Sequence, residues 1–408
     1  MKKRNCLLGQ SGGPTAVINS SYRGILDHVK KSEDLDRIYA MKFGLEGLLA
    51  GKFFDMTDKS KEELELLKNT PSTVIGTSRY KLAHYDEGDE EYIKFFNFLE
   101  EHQIGYVFYV GGNDSMDSVA KLSSYAKEKG IDVKIMGIPK TIDNDIVITD
   151  HCPGYGSAAK YIATSVMEIA RDSRVYDLKN VHIIEAMGRD TGWLAASSIL
   201  AANEKLYAPD FIYLPEAVFD VDKFYKDVEN KMKEQKAVTV VVSEGIKDKN
   251  GEYISAGKST AHDQFKHKKL GGAADALKPI IKENLCDRVK AIKFDVMQRA
   301  AAHCASGRDI VEAYQVGAEA VRAALEGETG KMTALKRVSN DPYQVEIIKV
   351  EAEKVANEVK YVPDKWINEQ KNGLTEEFKD YVLPLIQGDI DMKTENSLPV
   401  FSKLEAWD

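Results

Sequence analysis

The chain has 408 residues, 43% of them hydrophobic, enough to fill the cores of two or three ordinary globular domains. Its net charge of −9, with no long basic run, argues against nucleic acid or an anionic membrane as the main partner, so any bound phosphate has to be held by local chemistry. No stretch approaches the ~18 apolar residues of a membrane span. The apolar run Cys6 to Leu8 is too short for a signal peptide, and Cys6, Cys152, Cys286 and Cys304 form no CxxC pair, so the reading is a cytoplasmic protein with reduced thiols.

Short apolar runs alternate with helical patterns, the signature of βαβ units around a largely parallel sheet. The first predicted strand, 4–9, runs into "QSGGPTAVIN", where Gly12 and Gly13 precede Pro14 and a helix. Taken alone, this segment serves equally well as a plain turn or as a phosphate loop. A second strand is predicted at 36–42 and a helix at 89–102. A third strand, 105–110, ends in "GGNDS", where Gly112 suits close approach to an anion but Asp114 would repel one.

The strand predicted at 132–137 ends in "PKTIDNDI", crowding Lys140, Thr141, Asp143, Asn144 and Asp145 into six residues. A turn needs one Asp or Asn; the additional charges point to acid–base, metal or phosphate work. A helix follows at 154–173. Its "GYGSAA" matches a dinucleotide pattern, but only a proline turn precedes it, so a tight helix entry is the better reading. The strand at 180–186 ends at Met187, Gly188 and Arg189, which offers a backbone approach and a cation to an anionic ligand.

The strand at 237–243 ends at Glu244, and 246–272 reads as a polar surface excursion. Within it, "GEYISAGKST" mimics a Walker loop, but five residues separate Gly251 from Gly257 where the motif has four. A strand at 290–297 and a helix at 307–327 follow, the helix with Ile310, Ala313, Tyr314, Gly317, Val321, Ala324 and Leu325 on one face. The tail from about 351 is more charged and helical, a cap on the main body. Five strand ends carry glycine with polar or charged residues, and in open α/β sheets such ends are where ligands bind.

Taken together, "QSGGPTAVIN", "IGTSR", "GGNDS", "PKTIDND", "MGR" and the Gln298–Arg299 pair resemble the 6-phosphofructokinase family, most of all its pyrophosphate-dependent branch, from about residue 4 to 350. The resemblance implies two α/β domains of similar topology with mostly parallel central sheets, the active site in the cleft between them, and a C-terminal helical extension. Residues 1–153 with about 299–350 would bind the phosphoryl donor and 154–298 the sugar phosphate, with 351–408 packing on the latter. It implies Mg²⁺-dependent, reversible transfer of a phosphoryl group from pyrophosphate to the 1-hydroxyl of fructose 6-phosphate, serving glycolysis or gluconeogenesis, in a homo-oligomer, dimer or tetramer.

By resemblance, Asp143 is the general base, Asp145 supports it or helps hold Mg²⁺, and Arg79 bridges the transferring phosphoryl group. Gly12, Gly13, Gly112, Lys140 and Arg79 are assigned to the diphosphate. Thr141, Ile142, Asp143, Met187, Gly188, Arg189, Glu244, Val296 and Arg299 are assigned to the sugar phosphate, and Asn113 and Asp114 to the metal. ATP-using relatives have glycines where this chain has Asp114 and Lys140; the carboxylate would repel an α-phosphate, and the lysine suits a short, highly charged pyrophosphate.

Three departures bear on the sugar pocket: Asn180 and Lys290 replace phosphate-binding arginines, and Val296 stands where relatives have His or Tyr. They leave open a seven-carbon ketose phosphate such as sedoheptulose 7-phosphate. The rival readings are an ATP-dependent 6-phosphofructokinase and a non-catalytic sugar-phosphate-binding protein.

Overall fold

The computed structural model describes residues 4–202, 207–255 and 272–404. Two sheets organise the chain. The first has seven strands in the order β11-β10-β5-β4-β1-β2-β3. They are β1 (Arg4–Gln10), β2 (Leu35–Met41), β3 (Phe53–Asp55), β4 (Ile104–Gly111), β5 (Lys134–Pro139), β10 (Lys331–Asn340) and β11 (Tyr343–Glu351). Its centre is parallel, β1 pairing with β2 and β4, β4 with β5 and β5 with β10, while β3 and β11 add antiparallel edges.

The second sheet is wholly parallel, in the order β7 (Phe211–Tyr213), β8 (Ala237–Ser243), β6 (Asn180–Ala186), β9 (Val289–Lys293). Both β6 and β8 are buried along their whole length, as a sheet covered by helices on both faces requires. Helices therefore carry the polar surface. Asp220 caps the helix Val221–Glu234 by accepting from the backbone N–H groups of Asp222 and Lys223, and Ser306 caps Gly307–Leu325 through Asp309 N.

The strands expected at 4–9, 36–42, 105–110, 132–137, 180–186 and 237–243 form within two residues of their expected bounds. The one expected at 290–297 stops at Lys293; Asp295 takes a positive φ of 44°, and Met297–Ala300 turns into a short helix. The hairpin β10–β11 was not expected at all. Its outer half alternates between half-buried and exposed positions and carries Lys336, Gln344 and Glu346 on the wet face, so it lacks the continuous apolar run of the central strands. The Walker-like stretch runs into residues 256–271, which lie outside the described residues.

After β11 the chain carries the helix Glu376–Val382, several single turns of 3-10 helix and a small hairpin. Val362, Ile367, Phe378, Tyr381, Val382 and Leu385 of this tail are buried with Tyr155, Trp193, Ile184 and Ile142. Farther on, Leu404 joins the core of the first sheet, and Ser402 N donates to Thr70 Oγ1. Among the described residues no helix is long and apolar enough to cross a membrane.

Candidate active site

In the first sheet, β1, β4 and β5 lie side by side with Gln10 against Val110 and Gly111 against Pro139, so the three glycine- and charge-bearing strand ends emerge together. After β1 the backbone turns at Gly12, whose φ of +83° suits glycine. Gly12 N donates to Ser78 O (3.1 Å) and Thr77 Oγ1 donates to Gly12 O (2.7 Å), which pins the Arg79 loop against the turn. The buried Lys140 ammonium donates to Gly13 O (2.7 Å) and Ser11 O (3.1 Å). A Cβ on Gly12 would stand 3.2 Å from Lys140 Nζ, and one on Gly13 would stand 3.2 Å from Arg299 Nη1. These glycines thus make room for two cations.

Burial pulls the Lys140 pKa down to about 8; Asp143 and Asp145 oppose the shift, and Arg79 and Arg299 add to it. Burial and Arg79 likewise lower Arg299. Like charges held this closely, partly out of water, favour an anion that would relieve the repulsion. The helix Asn113–Lys129 starts beside them after Gly112, and its amino end adds free N–H groups and a positive dipole end.

Next to the cations stand the carboxylates of the loop after β5. Burial, reinforced by Glu244, raises the pKa of Asp143, while Lys140, Arg189 and Arg79 oppose it. Burial and then Asp143 raise Asp145. Asn113 Nδ2 donates to Asp145 Oδ2 (3.4 Å), while Asn113 Oδ1 is buried and accepts no hydrogen bond from the described residues. The unpartnered Asn113 oxygen and the Asp145 carboxylate reached by the same side chain are oxygen donors of the kind a hard cation takes, completing its shell with phosphate oxygens and water. No group of three or more His, Cys, Asp or Glu side chains among the described residues forms a self-sufficient metal cage.

The second sheet supplies the opposite wall. Ala186 of β6 pairs with Ser243 of β8, so Met187–Arg189 and Glu244 leave neighbouring strand ends. Gly188, at φ +128°, donates its N–H to Glu244 Oε1 (3.3 Å), and Met187 N donates to Gln298 Oε1 (3.1 Å). Thr191 Oγ1 reaches across to Asp143 O (3.3 Å). The carboxyl ends of the two sheets therefore face each other across Asp143.

A different depression, of about 210 Å³, lies at the other end of the second sheet and is lined by Asn180, His182, Arg288 and Lys290 among others. Asn180 begins β6 and Met187 follows its end, so this depression is a strand length away from Asp143. Asn180 does not reach outward; its amide donates to Ser173 O and Leu178 O, both 3.0 Å.

The phosphofructokinase family model matches residues 5–324. The chain belongs to the phosphofructokinase family. It is 39% identical over 392 residues to the pyrophosphate--fructose 6-phosphate 1-phosphotransferase of Methylococcus capsulatus, covering 95% of this chain and 93% of that protein. It is 37% identical to the protein of the same name from Halomonas elongata, covering 99% and 97%. A crystal structure of a pyrophosphate-dependent phosphofructokinase from Marinobacter aquaeolei superposes with a TM-score of 0.89 at 34% identity, covering 98% and 96%.

Within this phosphofructokinase fold, Gly12, Gly13, Gly112, Asn113, Lys140, Asp143, Asp145, Arg79, Arg189, Glu244 and Arg299 gather around one cleft. Three further expected residues have distinct settings. Asp114 is exposed in the first turn of its helix, while the amide nitrogen of the neighbouring Asn113 turns to Asp145. Ile142 is 7% exposed and packs with Tyr155 and Trp193, leaving only its backbone for a ligand. Val296 is 49% exposed at the start of the short helix that carries Gln298 and Arg299.

Sequence reasoning gave no role to Thr191, Asn144, Lys360 or Tyr381, all of which hold the loop around Asp143. Asn144 was visible as the residue between the two carboxylates of "TIDND"; Lys360 and Tyr381 carry no local signal, because their role arises only when the tail folds back.

Proposed function

We propose that the chain is a Mg²⁺-dependent phosphotransferase that moves a phosphoryl group reversibly between pyrophosphate and the 1-hydroxyl of fructose 6-phosphate. The observation that carries this reading is the Lys140 ammonium, buried and fixed on the carbonyls of Ser11 and Gly13 inside the glycine turn. A fixed cation there fills space along the donor path and favours a compact, multiply charged diphosphate over a nucleotide's longer chain. The names of the relatives with close to full-length coverage support the same donor.

In this reading the diphosphate sits among Lys140, Arg79, Arg299, the glycine turn and the amino end of the helix Asn113–Lys129. Asn113, Asp145 and Asp143 would hold the magnesium ion, which supplies charge neutralisation between phosphate oxygens. Asp143, raised in pKa by burial and Glu244, orients the sugar 1-hydroxyl and takes its proton as the phosphoryl group transfers. Met187–Arg189 and Glu244 position the sugar, and the Arg79 guanidinium stabilises the transferring oxygens.

Two further parts belong to this proposal. Exposed Val175, Tyr176 and Leu178 beside Arg288 and Lys290 support a homo-oligomer, with a second copy docking at that end of the second sheet. Free Cys6, Cys152, Cys286 and Cys304 fit a reducing cytoplasm.

The test is a matrix of pyrophosphate and ATP against fructose 6-phosphate and sedoheptulose 7-phosphate, with Mg²⁺. Turnover with pyrophosphate and fructose 6-phosphate at least about tenfold above every other pairing is expected. Turnover with ATP alone would overturn the donor, and binding without any turnover would favour a non-catalytic role.

A further inference from the structure

The carboxylate loop is held from an unexpected direction. Lys360, in the tail that follows β11, donates its backbone N–H to Asp145 O (2.8 Å). Its ammonium donates to Asn144 Oδ1 (3.3 Å), Thr149 O (3.1 Å) and Asp150 O (3.0 Å), which uses all three of its protons on one loop. Its carbonyl accepts from Trp193 Nε1 (2.7 Å), and the ammonium lies 5.2 Å from the centre of the Trp193 ring. Trp193 opens the helix just after the Met187–Arg189 turn. One tail residue therefore ties the acid loop of the first sheet to the sugar-side turn of the second.

Tyr381 reinforces the tie. Its hydroxyl donates to Asp150 O (2.7 Å) and accepts from Asn144 Nδ2 (3.0 Å). Asn144, buried between Asp143 and Asp145, keeps a positive φ of 54°, and its Oδ1 also accepts from Cys152 N (3.0 Å). A non-glycine residue in that region is held by its surroundings, and here Lys360, Tyr381 and Cys152 are those surroundings. Two residues on, Val362 N shares Glu216 Oε1 with Gly192 N, so the tail's grip on the second sheet does not rest on Lys360 alone.

We propose that Lys360 is a positioning residue for the phosphoryl transfer: its ammonium fixes the backbone of residues 143–150 and thereby the placement of Asp143 against the sugar-side turn, without touching either substrate. The inference rests on the reading of Asp143 as the base. Misplacing a reacting group by about 1 Å costs up to ~100-fold in rate, whereas substrate contacts made by other residues are left intact. The loss is therefore expected in kcat and not in KM.

The experiment compares wild type, Lys360→Met and Lys360→Arg, using whichever phosphoryl donor the wild type turns over fastest. A wrong donor assignment then appears in the wild type alone, and a wrong role for Lys360 appears only in the ratio of variant to wild type. The methionine variant is expected to lose about 10- to 100-fold in kcat with both KM values within about twofold, and the arginine variant, which keeps charge and donors, to regain most of that loss. A folded Lys360→Met enzyme with unchanged kcat, or one whose loss lies in KM, overturns the proposal; so does an arginine variant as slow as the methionine one. Should Lys360→Met not fold, Tyr381→Phe carries the same test by removing one hydroxyl from the clamp: a fall in kcat at constant KM supports the proposal and unchanged kcat overturns it.

Discussion

Lys140 shows how a single side chain can set both affinity and pH response. Its ammonium is held by two carbonyls and surrounded by Asp143, Asp145, Arg79 and Arg299, with burial bringing its pKa to about 8. In the free enzyme the positive charge is present below pH 8 and lost above it, so kcat/KM for pyrophosphate should decline as pH rises through about 8. A Lys140→Arg variant, whose guanidinium stays charged throughout that range, should be slower but lack that decline. Steady-state kinetics between pH 6 and 10 check both; an identical alkaline limb in the arginine variant would assign the titration to another group.

At the scale of elements, the loop after β5 is anchored at its far end by a buried network. His151 sits between Asp150 Oδ2 (2.8 Å) and Glu312 Oε2 (2.7 Å), and Arg337 donates twice to Asp150, so the loop, the helix Gly307–Leu325 and the β10–β11 hairpin share one set of charges. Burial disfavours the imidazolium, but Glu312 and Asp150 outweigh it and hold its pKa up at about 9. A pKa raised on folding gives stability that is fully present below the unfolded value of ~6.5 and is lost as pH climbs through the folded one. Thermal stability should therefore fall between pH 6.5 and 9 because of His151, and His151→Gln should lower stability at pH 6.5 while flattening that segment; calorimetry across the range measures it.

Those same elements show why some structure was legible and some was not. The strands β1, β4, β5, β6 and β8 are buried on both faces and read as continuous apolar runs, and the loops that follow them carry dense charge, so strands and site residues could be found together. The hairpin β10–β11 is half-wet, and its charged alternation resembles a polar segment until its pairing with β5 is known. The exposure of Asp114 was equally hidden: adjacency to Asn113 in sequence does not fix which way a side chain leaves the first turn of a helix.

Across the whole molecule, the tail joins the two sheets. Phe378 is fully buried, with its ring centroid 6.1 Å from those of Trp193 and Tyr381 and 5.7 Å from that of Trp366. Truncating it leaves a cavity in the cluster that backs Ile142 and Tyr155, and Phe378→Ala should cost about 3–5 kcal/mol. Urea denaturation checks this, and a cost below about 1 kcal/mol would mean that the tail packs loosely on the second core.

The sequence by itself determined the chemistry at each strand end, because glycine turns, clustered carboxylates and the basic residues beside them are local features with local causes. It also determined the parallel α/β class through its alternation of buried runs and helical patterns. Only the tertiary structure decided which ends face one another: Arg299 against Gly13, Glu244 near Asp143, and Lys360 across the loop that carries both carboxylates. Those contacts join residues far apart in the chain, and their geometry is set by the packing of two sheets and a returning tail, which no local pattern encodes.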